Sequence, residues 1–251
     1  MRFVIFGGGC YGSFYARQLV RAHTAGVEVS EIVVVDHNRQ PAVRTALTSP
    51  LLRCVVQEWD DFCDAYFTSL PLDSTDQIVP PPFTPHLALA WLLHRLPMDR
   101  PDLHWSLEPI KRLPGTPFQN QSEGGPVTLS HADWTCPVNC IEPDRCPKTR
   151  AARYWDLART IEHWRHAFDD AGQAVTQMHL FQCLHYTHGV GTYPAARVAA
   201  ARHDMAAASA RTGHPARYLV GTVSHCHGAV NLIKAEAGTD TVSTAGPVHS
   251  R

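Results

Sequence analysis

The sequence predicts an α/β protein: a doubly wound, mostly parallel sheet, followed by a second, smaller α+β region that carries a Cys/His metal site. Three observations lead there. Short apolar runs alternate with helical periodicity over the first third of the chain, a glycine-rich turn joins the first run to the first helix, and closely spaced cysteines stand apart in the second half. Arg2 to Phe6 is short and apolar after its first residue, as a strand covered on both faces would be. Tyr11, Phe14, Tyr15, Leu19 and Ala22 then recur at helical spacing, and Ile32 to Val35 form a second strand that stops at Asp36. Arg53 to Gln57 reads as a third strand, Trp59 to Phe67 as a helix, and Gln77 to Val79 as a fourth strand closed by three prolines. Thr84-Pro85 opens a helix with one face at Leu89, Leu92, Leu93 and Leu96, and Pro97 is expected to end it.

These elements make a first domain over 1–97. Residues 98–125, rich in Pro, Gly, Asn, Gln and Ser, are expected to be a connecting region. A second domain spans 126–237. It holds a helix marked by Tyr154, Leu157, Ile161, Trp164 and Phe168 with Gly172 as its stop, and a strand from Ala174 to Tyr186. A helix from Pro194 to Gly213 follows, then strands from Arg217 to Ser224 and from Ala229 to Ala235. Residues 238–251 are small and polar and are expected to lack order.

Composition narrows the function. The 251 residues are 44% apolar, close to the usual share, and 18% charged, below the usual ~25%, values that argue against a disordered chain and allow a real core. With 22 Lys+Arg against 23 Asp+Glu the net charge is -1, which leaves no overall positive field for nucleic acid or anionic membranes. The opening apolar run is too short for a signal peptide, and no apolar stretch nears the ~20 residues that span a bilayer. A cytoplasmic protein with reduced thiols is the expectation.

Gly7-Gly8-Gly9-Cys10-Tyr11-Gly12 matches G-x-G-x-x-G, leaves a buried strand, enters a helix and meets Asp36 at the end of the next strand. In that pattern Gly7 permits the tight turn, Gly9 lets a pyrophosphate approach the backbone, Gly12 packs helix on strand, and Asp36 accepts from a ribose hydroxyl. Over roughly residues 1–95 the chain resembles the Rossmann-type NAD(P)- or FAD-binding superfamily. The resemblance implies a dinucleotide cofactor and allows a homodimer. A carboxylate at Asp36 repels a 2′-phosphate, which favours NAD over NADP, with FAD behind both.

Cys136-Pro137-Val138-Asn139-Cys140 and Cys146-Pro147 put three thiols in one loop. The spacing matches neither a zinc ribbon nor a ferredoxin, so the reading rests on ligand type: an iron–sulfur cluster first, zinc second. Cys183 is the first candidate for the fourth ligand, with Cys226 and His131 as alternatives. Arg145, Lys148, Arg150 and Arg153 supply local positive charge.

Period-two alternation puts His179, Cys183 and His185 on one strand face, and His225 and His227 on one face of a later strand. His188 precedes Gly189 in a glycine-rich turn. Imidazole titrates near neutrality, so His188, His225 and His227 are the candidate catalytic proton-transfer residues, with Glu142 and Asp133 as secondary acid/base candidates. No serine-hydrolase elbow, P-loop lysine or H-E-x-x-H helix is present. The reading is an NAD-dependent oxidoreductase with a Cys-ligated metal centre, acting on a small-molecule substrate alongside a redox partner protein. The alternatives are a non-catalytic NAD-binding redox or metal sensor, and a zinc-dependent dehydrogenase or lyase.

Overall fold

A computed structural model describes residues 1–82, 84, 86–121, 125–137, 140–209 and 215–238. The first strands are β1 (Arg2–Phe6), β2 (Glu31–Asp36), β3 (Leu52–Val56) and β4 (Gln77–Val79), alternating with α1 (Cys10–Thr24), α2 (Ala42–Ala46), α3 (Trp59–Ser69) and α4 (Leu87–Asp99). All four strands run parallel in the order β3-β2-β1-β4. Their side chains divide between two faces. Phe3, Ile5, Ile32 and Val34 join α1 and α2 residues such as Leu19 and Val43 in one cluster. Val4, Phe6, Val33 and Val35 pack with Phe67 of α3 and Leu92 of α4 in another. Helices cover both sides, which is why these strands read as unbroken apolar runs.

The second half adds β5 (Leu103–Glu108), β6 (Phe118–Gln121), β7 (Val127–Ser130), α5 (Leu157–Trp164), α6 (His166–Asp170), β8 (Gln177–Gln182), β9 (Leu184–Thr187), β10 (Val190–Pro194), α7 (Ala195–Ser209), β11 (Ala216–Val223) and β12 (His227–Ala237). Five of its strands form a second sheet in the order β6-β7-β12-β11-β8, with β5 also pairing with β12. The eleven-residue β12 serves two neighbours: His227 to Val230 pair with β7, and Leu232 to Ala237 with β5. Leu157, Ile161 and Phe168 of α5 and α6 seal one face with Leu219, Val230 and Leu232. Helix α7 joins the cluster shared by both sheets, where Val198 and Met205 meet Val4 on one side and Tyr218 and Ile233 on the other.

Several expectations change here. The first sheet is mixed: β10 pairs antiparallel with β4, and β9 with β10, so the second half completes a sheet that the first half begins. The 98–125 segment is no mere connection, because it supplies β5 and β6 to the second sheet. Each of the two sheets has six strands. The single strand expected over 174–186 is two strands in different sheets that change over at Cys183. Tyr154 is 91% exposed and precedes the helix, whose true cap is Asp156, its carboxylate accepting from Arg159 N. Pro97 lies inside the last turn of α4, where only one backbone bond is lost, and His86 takes the cap position expected for Thr84. Pro85, Gly213 and residues 239–251 fall outside the described residues, and with them the expected helix opening, helix stop and tail. Among the described residues no helix is long and apolar enough to cross a membrane.

Burial also makes the fold pH-sensitive. It pushes the His86 imidazole down to about 4 and also lowers His179 and His227. The unfolded chain then binds protons that the native chain excludes as pH falls below ~6.5. Stability is therefore fully present above that value and is lost progressively towards about 4. Denaturant midpoints measured between pH 7 and pH 4 are expected to fall, and His86→Leu is expected to flatten that slope.

Candidate functional site

The glycine loop is built by sterics. A Cβ on Gly12 would sit 1.8 Å from the Gly7 carbonyl oxygen, so only glycine lets α1 start this close to β1. Gly7 has φ +90 and donates its N–H to Val35 O at 2.8 Å. A Cβ on Gly9, at the N-cap of α1, would meet nothing within 4 Å. No side chain caps α1 and no acidic residue lies in its first turn, which suits an anion. Asp36 accepts from Gly8 N at 2.6 Å and Asn38 N at 2.8 Å, one bond per carboxylate oxygen, and keeps lone pairs for a further donor. Gly7, Gly9, Gly12 and Asp36 are thus together, joined by Trp59, whose ring lies against Gly7 and whose Nε1 donates to Val35 O.

The chain passes outward from β1 through β2 to β3 and returns to place β4 on the other side of β1, so the topological switch lies between β1 and β4. A cleft opens there. A cavity of about 150 Å³ reaches from Tyr15 of α1 past Val79 and Pro80 to Cys183, His185 and Ser224. A cavity of about 560 Å³ shares Pro80, Cys183 and Ser224 with it and continues along the second sheet to Ser130, Asp133 and His227. That size suits a small ligand.

Of the three candidate catalytic histidines, His227, the first residue of β12, is the one that lines this cleft, while His185 lines the smaller cavity. The Nδ1 of His227 lies 2.8 Å from Ser130 Oγ. The Ser130 hydroxyl donates its proton to Ala132 O at 2.7 Å and accepts from Ala132 N at 2.9 Å. The imidazole must therefore donate from Nδ1, which leaves Nε2 as a lone-pair acceptor. Burial lowers the His227 pKa despite the opposing charge of Glu142, so the ring is neutral near pH 7.

The other histidines are elsewhere. His225 lies in the β11–β12 turn rather than on a strand, with Nδ1 2.7 Å from Asp156 Oδ2, and lines none of these cavities. Burial works to raise the Asp156 carboxyl, but bonds from Arg159 N and His225 hold it lower overall. His188 is exposed at the tip of the β9–β10 hairpin. Its φ of 46, followed by 77 at Gly189, is what a two-residue hairpin turn demands. His179 is half-buried on β8, two strands away from β12.

The cysteine loop forms the wall beside the cleft. Glu142 is a strut and no free acid: one carboxylate oxygen accepts from Ser224 Oγ at 2.6 Å and the other from His225 N at 2.8 Å. Arg153 braces the loop by donating to Pro143 O and Trp155 O, and Arg145 by donating to Arg150 O. All eight cysteines are free thiols. Among the described residues no three His, Cys, Asp or Glu side chains stand close enough to hold a metal ion. Cys183 packs against Gly191 of β10, and burial pushes its thiol up to about 12. Cys136 is raised first by burial and then by Cys140, Cys146 and Glu142 around it. Sequence reasoning missed Ser130 and undervalued Cys226. Neither carries a local signal, because only sheet pairing brings each to its partner.

The fold and site thus define a mixed α/β protein with a glycine loop at a topological switch and a histidine-bearing cleft between two sheets. The chain belongs to the family described as "Uncharacterized protein, C-terminal domain", whose model matches residues 88–236 of the 251, from α4 through β12. No curated protein and no solved structure matches the chain.

Proposed function

We propose that the protein is a cytoplasmic NAD-dependent oxidoreductase of Rossmann type with a Cys-ligated metal centre beside its substrate cleft. The observation that carries the reading is the glycine loop at the head of α1 with Asp36 beside it, on the parallel strands whose β1–β4 switch borders a cavity that adjoins the His227 cleft. The residues fit the dinucleotide: Gly9 leaves open space over an uncapped helix terminus, and Asp36 offers lone pairs to a ribose hydroxyl. Bound NAD supplies hydride transfer. Gly9 would leave its pyrophosphate room at the α1 terminus, Gly7 and Gly12 would shape the turn that allows that approach, and Asp36 would select the unphosphorylated ribose.

His227 Nε2 takes the proton from the hydroxyl or amine of a substrate as the adjacent carbon is oxidised. Ser130 fixes the tautomer that makes this possible and acts as a positioning residue. Pro80 and Val223 give the cleft apolar walls beside His227. Because only the neutral ring accepts a proton, and burial favours that form, the acid limb of the oxidation rate is expected to have its midpoint below the ~6.5 of a free imidazole.

The test is a screen of small alcohols, amines and hydroxy acids with NAD, read as formation of reduced nicotinamide. Turnover with at least one class supports the reading. Tight NADH binding without turnover on any class would favour the sensor alternative.

A further inference from the structure

We infer that Cys226 joins Cys136, Cys140 and Cys146 in one four-thiolate site for a soft metal centre. The inference refines the metal half of the proposed function and is independent of its dinucleotide half. Cys226 lies in the β11–β12 turn, and the cysteine loop is fastened to that turn from both ends. His131 N, before Cys136, donates to Cys226 O at 2.9 Å. Glu142, two residues beyond Cys140, holds Ser224 Oγ and His225 N with its carboxylate. Arg153 then donates to the carbonyl of Trp155, whose indole sits on Cys226.

The donors around the sulfurs are those that thiolates need. Trp155 Nε1 donates to Cys226 Sγ at 3.2 Å and Glu142 N to Cys140 Sγ at 3.4 Å. Backbone N–H groups of Thr149 and Lys148 favour the Cys146 thiolate. Trp134 Nε1 is buried with no hydrogen-bond partner, and its side chain favours the Cys136 thiolate. Such donors are the outer shell that orients and stabilises sulfur ligands. A metal centre held here would take the four sulfurs as thiolates and would need them closer together than they stand without it. Cys183 stands apart from this set: it packs against Gly191 of β10, and none of the four sulfurs acts on its thiol, whereas Cys140 and Cys146 act on Cys136, and Cys136 on Cys226.

The experiment uses the full chain purified without oxygen, stripped with chelator, then reconstituted either with iron and sulfide or with zinc. Metal and sulfide per chain are measured, and thiol alkylation is mapped by peptide mass spectrometry. Loading should slow alkylation of Cys136, Cys140, Cys146 and Cys226 and leave Cys10 and Cys183 unchanged. Iron with sulfide and a broad visible absorption identifies a cluster, and colourless stoichiometric zinc identifies a single ion. Where Cys226 is too buried to react even without metal, a variant pair decides: Cys226→Ser should lose chelator-resistant metal and Cys183→Ser should keep it. Bound metal that survives Cys226→Ser but not Cys183→Ser overturns the four-thiolate set alone. A chain that takes up neither metal overturns the metal centre as well, and leaves the dinucleotide reading to its own test.

Discussion

His227→Asn is expected to lower turnover by about 10²–10⁴-fold while leaving NADH affinity unchanged. The asparagine amide can still donate to Ser130 Oγ as the Nδ1–H does, so the turn and β12 stay in place. Only the Nε2 lone pair is lost. The loss should appear in kcat and in kcat/KM together, as befits a group that acts in the transition state. Ser130→Ala should cost less, because it frees the ring to change tautomer without removing it. It should also distort the acid limb of the pH profile, which a purely structural residue would not do. Equal turnover in His227→Asn and the parent would remove His227 from the chemistry and return attention to Asp133, the exposed carboxylate that lines the same cavity.

The second large effect is a contrast within the glycine loop. Gly12→Ala drives a methyl group against the Gly7 carbonyl at 1.8 Å, a backbone atom that cannot rotate away, and should destabilise the protein by about 3 kcal/mol. Gly9→Ala meets nothing within 4 Å, but its φ -77, ψ -149 backbone lies just beyond the extended region open to alanine, so stability should fall by about 1–2 kcal/mol, less than for Gly12→Ala. Its NADH affinity should nonetheless fall by about tenfold or more, or ~1.4 kcal/mol, because the new methyl group occupies the approach to the helix terminus. Denaturant unfolding and NADH titration of the two variants separate the effects. An unaltered NADH affinity in Gly9→Ala would reduce the loop to a turn between strand and helix.

How far the sequence could be read depended on whether the deciding contact was local. The four parallel strands were legible because strands buried on both faces are written as uninterrupted Val, Ile and Phe. The G-x-G-x-x-G spacing likewise carried its own steric reason at Gly12. Gly8 shows the limit: the motif leaves its position free, yet a Cβ there would lie 2.5 Å from Pro41 Cβ. Strand β5 does alternate Leu103, Trp105 and Leu107, but its Pro- and Gly-rich surroundings hid it. The change of sheet at Cys183 has no glycine or proline to announce it. That one undetected break misplaced Cys183 and its histidine neighbours, since period-two reasoning holds only while a strand continues. His227 was found by residue type, but its tautomer depends on Ser130, brought alongside by β7–β12 pairing. Cys226 reaches the cysteine loop through the His131 bond and the Glu142 strut, contacts between residues more than eighty positions apart in sequence.

The most direct test of the account is a titration of the full-length protein with NADH and NADPH, followed by energy transfer from tryptophan to the reduced nicotinamide, with Trp59 against Gly7 as the local reporter. The account predicts saturable binding of one NADH per chain, weaker binding of NADPH because of Asp36, and loss of the NADH signal in Gly9→Ala. Absence of saturable binding of either dinucleotide up to millimolar concentration would contradict it.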